Sequence, residues 1–152
     1  MKYKLTDDKN RSFAAWKLLF ALYKSVTGKT LKSVEFENDG KPVACVPVSL
    51  SHSENAVMAA FSTENMPLGA DIESAKRKLS EKAAKLLNAE KENAVEKWTK
   101  RECVIKAVKS TDAELFEGIT EEAEICGENY VFSIFYKNKN AELIKKDYEN
   151  IF

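Results

Sequence analysis

Leu68-Gly69-Ala70-Asp71-Ile72-Glu73 is the stretch on which the reading of this chain turns. It is short, mostly apolar and led in by Met66-Pro67, so it is expected as a strand. On a strand Asp71 and Glu73 flank Ile72 and present both carboxylates on one side. Gly69, just before the pair, permits a close backbone approach. Thirty positions on, from 68 to 98, stands Trp98-Thr99-Lys100-Arg101-Glu102-Cys103-Val104-Ile105-Lys106. On a helix Glu102 and Lys106 lie one above the other. Where that strand and that helix meet, three carboxylates and one ammonium converge. Crowded carboxylates repel unless a cation sits among them, and oxygen-only ligands point to Mg²⁺. Mg²⁺ keeps few protein ligands and usually holds a substrate phosphate as well.

Outward from the strand, the pattern is helix, strands, helices, strands. Residues 10–27 carry Phe13, Trp16, Leu19, Phe20 and Tyr23 at helical spacing, with Gly28 as the stop. Residues 31–36 alternate as a strand and end at the turn Asn38-Asp39-Gly40. Residues 43–50 are extended, with Pro47 dividing them. Ser51-His52-Ser53-Glu54-Asn55 reads as a polar turn, and residues 56–61 as a buried strand. Ser80 caps a helix over residues 81–87. A second helix is expected from about Glu90 to Val108, with Val95, Trp98, Glu102, Ile105 and Val108 along one side. Residues 122–126 and 130–136 form a hairpin around Gly127-Glu128-Asn129, and a strand or tail follows residue 140. This order predicts an α+β fold with mainly antiparallel strands packed on long helices.

The chain has 152 residues, enough for one core or two small halves. Its 24 basic and 24 acidic residues cancel, which argues against nucleic acid held by bulk charge. No apolar run spans a bilayer, and the N-terminus has no apolar signal segment. Cys45, Cys103 and Cys126 read as free thiols of a reducing cytosol, Cys103 and Cys126 facing the core. His52 is the only histidine, so a zinc site is improbable.

Each candidate has an ordinary reading beside the functional one. Asp71 and Glu73 suit a solvated strand end. Glu102 and Lys106 suit a surface ion pair worth on the order of 0.2–0.5 kcal/mol. Trp98 one turn earlier, and apolar neighbours, argue that this face is partly buried. Ser51, His52 and Ser53 cluster donors that suit an oxyanion. A Ser-His-Asp hydrolase lacks nucleophile-elbow glycines around either serine. Lys41 belongs to the turn Gly40-Lys41-Pro42, and the runs Lys76-Arg77-Lys78 and Lys145-Lys146 read as solvated surface.

In order, the chain carries Gly40-Lys41-Pro42, then Ser49-Leu50-Ser51-His52-Ser53, then Gly69-Ala70-Asp71-Ile72-Glu73, then Trp98 to Lys106. These blocks, in this order and at this spacing, resemble the phosphopantetheinyl transferase superfamily, over about Arg11 to Lys106. Arg101 stands where that pattern usually has lysine. The chain is longer than the trimeric holo-acyl-carrier-protein synthase type. It looks like a compact member of the larger, surfactin-synthetase-activating branch, without that branch's extra N-terminal segment. The resemblance implies two similar α+β halves, approximately 1–73 and 74–152, related by a pseudo-twofold axis with the site between them. It implies a cytoplasmic monomer that transfers 4′-phosphopantetheine from coenzyme A to a serine of an acyl or peptidyl carrier protein. Asp71, Glu73 and Glu102 would then hold Mg²⁺, and Glu102 would act as base. Lys106 would stabilise phosphate charge, and Lys41, Ser51, His52 and Arg11 would contact coenzyme A. His52 and Lys41 are expected at the rim of the acidic cleft. A silent carrier-binding module and a Mg²⁺-dependent phosphate hydrolase are the alternatives.

Overall fold

Alternation at period two produces the first layer. β3 (Val48–Ser53) and β4 (Ala56–Phe61) pair antiparallel, from Val48 opposite Phe61 to Ser53 opposite Ala56. Only Glu54 and Asn55 remain for the turn, with Glu54 at φ 48°. One hairpin face carries Val48, Leu50, Ala59 and Phe61, which pack with Leu19 and Tyr23 of helix α1 (Asp8–Thr27). The other carries Ser49, Ser51 and Ser53 opposite Ala60, Met58 and Ala56. The structure, a computed structural model, describes residues 8–37 and 41–137. The expected turn at 38–40 and the expected final strand or tail lie outside them.

The second layer is a three-stranded antiparallel sheet, ordered β5 (Leu68–Ser74), β7 (Glu128–Tyr136), β6 (Gly118–Ile125). Asp71 stands opposite Ser133, which in turn stands opposite Thr120. Helix α3 (Ala94–Val108) packs on β5 and β7. Short α2 (Glu81–Leu86) is capped by the Ser80 hydroxyl, which accepts from the Ala83 amide at 3.2 Å. A small ribbon, β1 (Val34–Phe36) with β2 (Pro42–Ala44), completes the strands, and a 3₁₀ turn at Ala113–Leu115 precedes β6. All strand ladders are antiparallel, so the chain is an α+β protein. Among the described residues no helix is long and apolar enough to cross a membrane.

The layers meet through serine. β5 is an edge strand of its sheet, and its outward amides need partners that no backbone supplies. The Ser49 hydroxyl accepts from the Ala70 amide at 2.9 Å, Ser51 from Ile72 at 3.3 Å, and Ser53 from Ser74 at 3.2 Å. Each pair is separated by 21 positions, so β3 runs parallel to β5 along a seam built from side chains. This corrects the turn expected at residues 51–55 to Glu54 and Asn55 alone, with residues 51–53 in the strand. Three alternating polar residues can lie buried in a strand because each hydroxyl has a backbone donor waiting.

Other expectations also shift. The buried side of α3 is Ala94, Thr99, Cys103 and Val104, not the side carrying Trp98, Glu102 and Ile105. Gly69 is the cause: a Cβ there would lie 2.0 Å from the Cys103 carbonyl oxygen, so small residues face β5 at close range. α3 also starts at Ala94 rather than Glu90, because the Asn93 side chain accepts from the Glu90 amide at 3.0 Å and closes a turn there. On α1 the closely packed residues are Ala14, Ala15 and Leu19, while Phe13 is exposed beneath Lys17. The hairpin turn is Cys126-Gly127, both at positive φ, as a two-residue connection demands. Cys126 is therefore exposed, not core-facing.

Ser133 anchors the α3 contact. Its hydroxyl, fully buried, bonds Thr99 Oγ1 at 2.8 Å and Thr120 Oγ1 at 2.9 Å. Removing it by Ser133→Ala takes a partner from the Thr120 hydroxyl and leaves Thr99 only its bond to the Glu96 carbonyl at 2.9 Å, beside a small void. A loss of about 1–2 kcal/mol is expected in urea unfolding, and an unchanged midpoint would mean that water takes over the bonds.

Candidate functional site

The seam and α3 converge on Asp71. Its side chain is 6% exposed. The Ser51 hydroxyl donates to Asp71 Oδ1 at 2.7 Å, and Lys106 Nζ donates to the same oxygen at 2.7 Å. Lys106 also bonds the Ala70 carbonyl at 2.9 Å. The other oxygen, Asp71 Oδ2, is buried and has no hydrogen-bond partner. An orphaned carboxylate oxygen is costly unless a cation or donor arrives there.

Glu73 lies one pleat along on the same face. The Ser53 hydroxyl donates to its Oε2 at 2.7 Å, and Arg77 pairs with its Oε1. Glu102 reaches toward Asp71 from α3. Burial first, and the Asp71 charge second, push the Glu102 carboxyl above its ordinary value, against the pull of Lys106, Arg101 and Arg77. Arg101 stands 3.4 Å from Glu102 Oε1. Each of the three carboxylates has an ion-pair partner within 4 Å: Lys106 for Asp71, Arg77 for Glu73 and Arg101 for Glu102. Trp98 ties this together, with the Arg77 guanidinium 4.9 Å and the Arg101 guanidinium 5.9 Å from its ring centre.

The structure brings Asp71, Glu102 and Lys106 into one charge cluster. Glu73 shares their side of β5 but is drawn to Arg77. In this arrangement, among the described residues, no three acidic, histidine or cysteine side chains form a ready-made metal cage. The donor chemistry nonetheless fits a hard cation: the oxygens are carboxylates, Asp71 Oδ2 is buried without a hydrogen-bond partner, and the Asp71 charge acts on Glu102.

The remaining expected contacts are dispersed. His52, in β3 and not in a loop, pairs with Val57 and alternates with Ser51 and Ser53, so it sits on the α1 side of the hairpin. Arg11 donates to the Glu54 carbonyl at 3.3 Å, at the turn beyond His52. Lys41 precedes β2, its carbonyl accepting from the Glu37 amide at 2.9 Å. Ser51 faces Asp71. Sequence reasoning missed Arg77, taken as solvated surface, and the bonding of Ser49, and it read Ser53 as an oxyanion donor rather than a partner of Glu73. The signal was present in the i, i+4 spacing of Glu73 and Arg77 and in the alternation of the serines. Cys103 donates to the Ser133 carbonyl at 3.0 Å, and burial pushes its thiol up, so it is an inert core group. A cleft of about 770 Å³ opens elsewhere, between Arg77, Leu79, Ala94 and Thr120, and none of Asp71, Glu73, Glu102 or Lys106 lines it.

Lys106→Met tests the cluster's energetics. It leaves Asp71 buried beside Glu102 without its ammonium. Fully buried pairs lose about 3–5 kcal/mol on such a change, and Lys106, itself 28% exposed, should lose roughly 2. Urea denaturation reads this directly, and an unaffected midpoint would mean that solvent already screens Asp71.

No protein-family model matches this chain, and no curated protein matches it.

Proposed function

We propose that the chain is a phosphopantetheinyl transferase, moving 4′-phosphopantetheine from coenzyme A to a carrier-protein serine and releasing adenosine 3′,5′-bisphosphate. The observation that carries this reading is Asp71 Oδ2, buried without a hydrogen-bond partner in a carboxylate that Lys106 holds by its other oxygen and whose charge acts on Glu102. The motif order along the chain supports the same reading.

In this reading Asp71 and Glu102, joined by Glu73 once Arg77 lets go, hold Mg²⁺. When bound, the ion neutralises charge on the coenzyme A pyrophosphate. Glu102 accepts the proton of the carrier serine, and its raised carboxyl makes it the stronger base. Lys106 has three N–H donors, two of them spent on Asp71 and Ala70. The third is available to a phosphate oxygen of the leaving group, where charge develops. Arg101, stacked on Trp98 beside Glu102, can swing its fork to the same phosphate. His52, Arg11 and Lys41 are assigned to the distal phosphates of coenzyme A.

The halves of this reading, about 1–73 and 74–152, each contain one of the longer helices, α1 and α3, although β5 of the first half pairs with β7 of the second. Pseudo-twofold halves would give a monomer a complete site, acting in the cytoplasm. The test is the mass of apo fatty-acid, polyketide and peptide carrier proteins after incubation with the chain, coenzyme A and Mg²⁺. The expected result is one added phosphopantetheinyl group on at least one carrier. No gain on any of them overturns the reading. Phosphate release without a carrier would favour the hydrolase instead.

A further inference from the structure

We infer that Ser51 and Ser53 are positioning residues, whose hydroxyls fix the orientation of the Asp71 and Glu73 carboxylates, and that neither contacts a substrate phosphate. The inference rests on the proposed role of those carboxylates in holding a metal ion.

The argument begins with proton count. A serine hydroxyl has one proton to donate and two lone pairs to accept with. Ser51 spends its proton on Asp71 Oδ1 at 2.7 Å and one lone pair on the Ile72 amide at 3.3 Å. Ser53 spends its proton on Glu73 Oε2 at 2.7 Å and one lone pair on the Ser74 amide at 3.2 Å. A carboxylate can only accept, so the direction of both bonds is fixed. Neither hydroxyl keeps a proton for an anion, and both are buried.

The two tethers act on one oxygen of each carboxylate. Ser51 and Lys106 both hold Asp71 Oδ1, which pins the group and leaves Oδ2, though buried, without a hydrogen-bond partner. Ser53 holds Glu73 Oε2 and leaves Oε1 to Arg77, a cation that can exchange for another. Each serine therefore turns one oxygen away from service and presents the other. Groups that orient ligands in this way typically influence metal affinity about 10–100-fold.

Ser49 supplies an internal control. Its hydroxyl accepts from the Ala70 amide at 2.9 Å in the same seam, and its other contact is the Ala70 carbonyl at 3.5 Å. It touches no carboxylate. Loss of seam bonding alone should affect all three serines, whereas loss of orientation should affect only two.

The experiment compares Ser49→Ala, Ser51→Ala and Ser53→Ala with the parent chain. Binding of Mn²⁺ alone is read by the electron paramagnetic resonance of the free ion, and crystal structures report the Asp71 and Glu73 rotamers. All three variants should melt earlier. Mn²⁺ affinity should fall about tenfold or more in Ser51→Ala and Ser53→Ala, and by less than about twofold in Ser49→Ala. Asp71 should turn in Ser51→Ala and Glu73 in Ser53→Ala. Each variant carries the test alone if the other fails to fold. Equal losses of affinity in all three, or carboxylates that keep their rotamers, overturn the inference. If the parent binds no Mn²⁺, the metal reading falls and the rotamers alone decide. If Mn²⁺ binds and responds as expected but no carrier is modified, the transferase reading falls and the positioning role stands.

Discussion

Gly69→Ala should be among the most damaging single-methyl changes at the described residues. Glycine to alanine in a strand ordinarily stabilises by about 0.4–1 kcal/mol through the unfolded state. Here the new Cβ meets the Cys103 carbonyl oxygen at 2.0 Å and its carbon at 2.9 Å. Both obstacles are backbone, and no side-chain rotation relieves them. Helix α3 must lift from β5, undoing the Cys103, Val104 and Phe135 cluster. Overpacking of this kind costs about 3 kcal/mol, which outweighs the entropic gain several-fold. The melting midpoint should fall on the order of 10 °C. Lifting α3 also draws Lys106 from Asp71, so carrier modification should fail at temperatures where the variant is still folded. A midpoint equal to the parent's would show that α3 is not seated on Gly69.

Glu102→Gln should divide stability from chemistry. It keeps size and hydrogen bonding but removes the charge. Carrier modification should drop by at least the contribution of a general base, about 10²–10⁴-fold, and stay low at saturating Mg²⁺ with coenzyme A still bound. Full recovery at high Mg²⁺ would make Glu102 a ligand only. Stability should move the other way. Burial raises the Glu102 carboxyl above 4.5, its ordinary value, so folding favours the protonated form. The ionised group therefore works against the fold, and parent stability falls as pH rises from 4.5 through the raised value. The glutamine variant should melt higher than the parent at neutral pH, and the gap should close as pH drops below about 4.5. A variant that melts lower at neutral pH would mean that the three nearby cations outweigh the burial.

What could be read in advance was local. The bounds of β4, 56–61, follow from a bare apolar run between polar turns, and the Ser80 cap from a single hydroxyl at the right place. The end of α1 at Thr27 follows from Gly28, at φ 71°. Gly69 was marked as a site of close approach, although nothing in the sequence says what approaches. The misread segments are those whose partners are remote. Residues 51–53 look like a turn because their hydroxyl partners lie 21 positions away on β5. The buried side of α3 was misassigned because Trp98 outweighs Thr99 in any hydropathy pattern. Only the Ser133 hydroxyl and the Gly69 gap make Thr99 and Cys103 the inward residues. The acidic motif was recognisable by spacing. So was Lys106, but Arg77 was not, because it reaches Glu73 only where the chain turns after β5.

The serine seam bears on how the chain could be cut. Every backbone ladder among the described strands closes within one layer: β3 with β4, β5 with β7, and β7 with β6. Between β3 and β5 the hydrogen bonds run through serine side chains. A protease nick in the segment 62–67, between β4 and β5, would therefore interrupt no sheet. The two pieces would keep their own hydrogen-bonded frames and stay matched by the spacing of three hydroxyls. Covalent continuity at that point is a convenience of synthesis, and complementation between separately made fragments becomes a practical route to labelling one layer at a time.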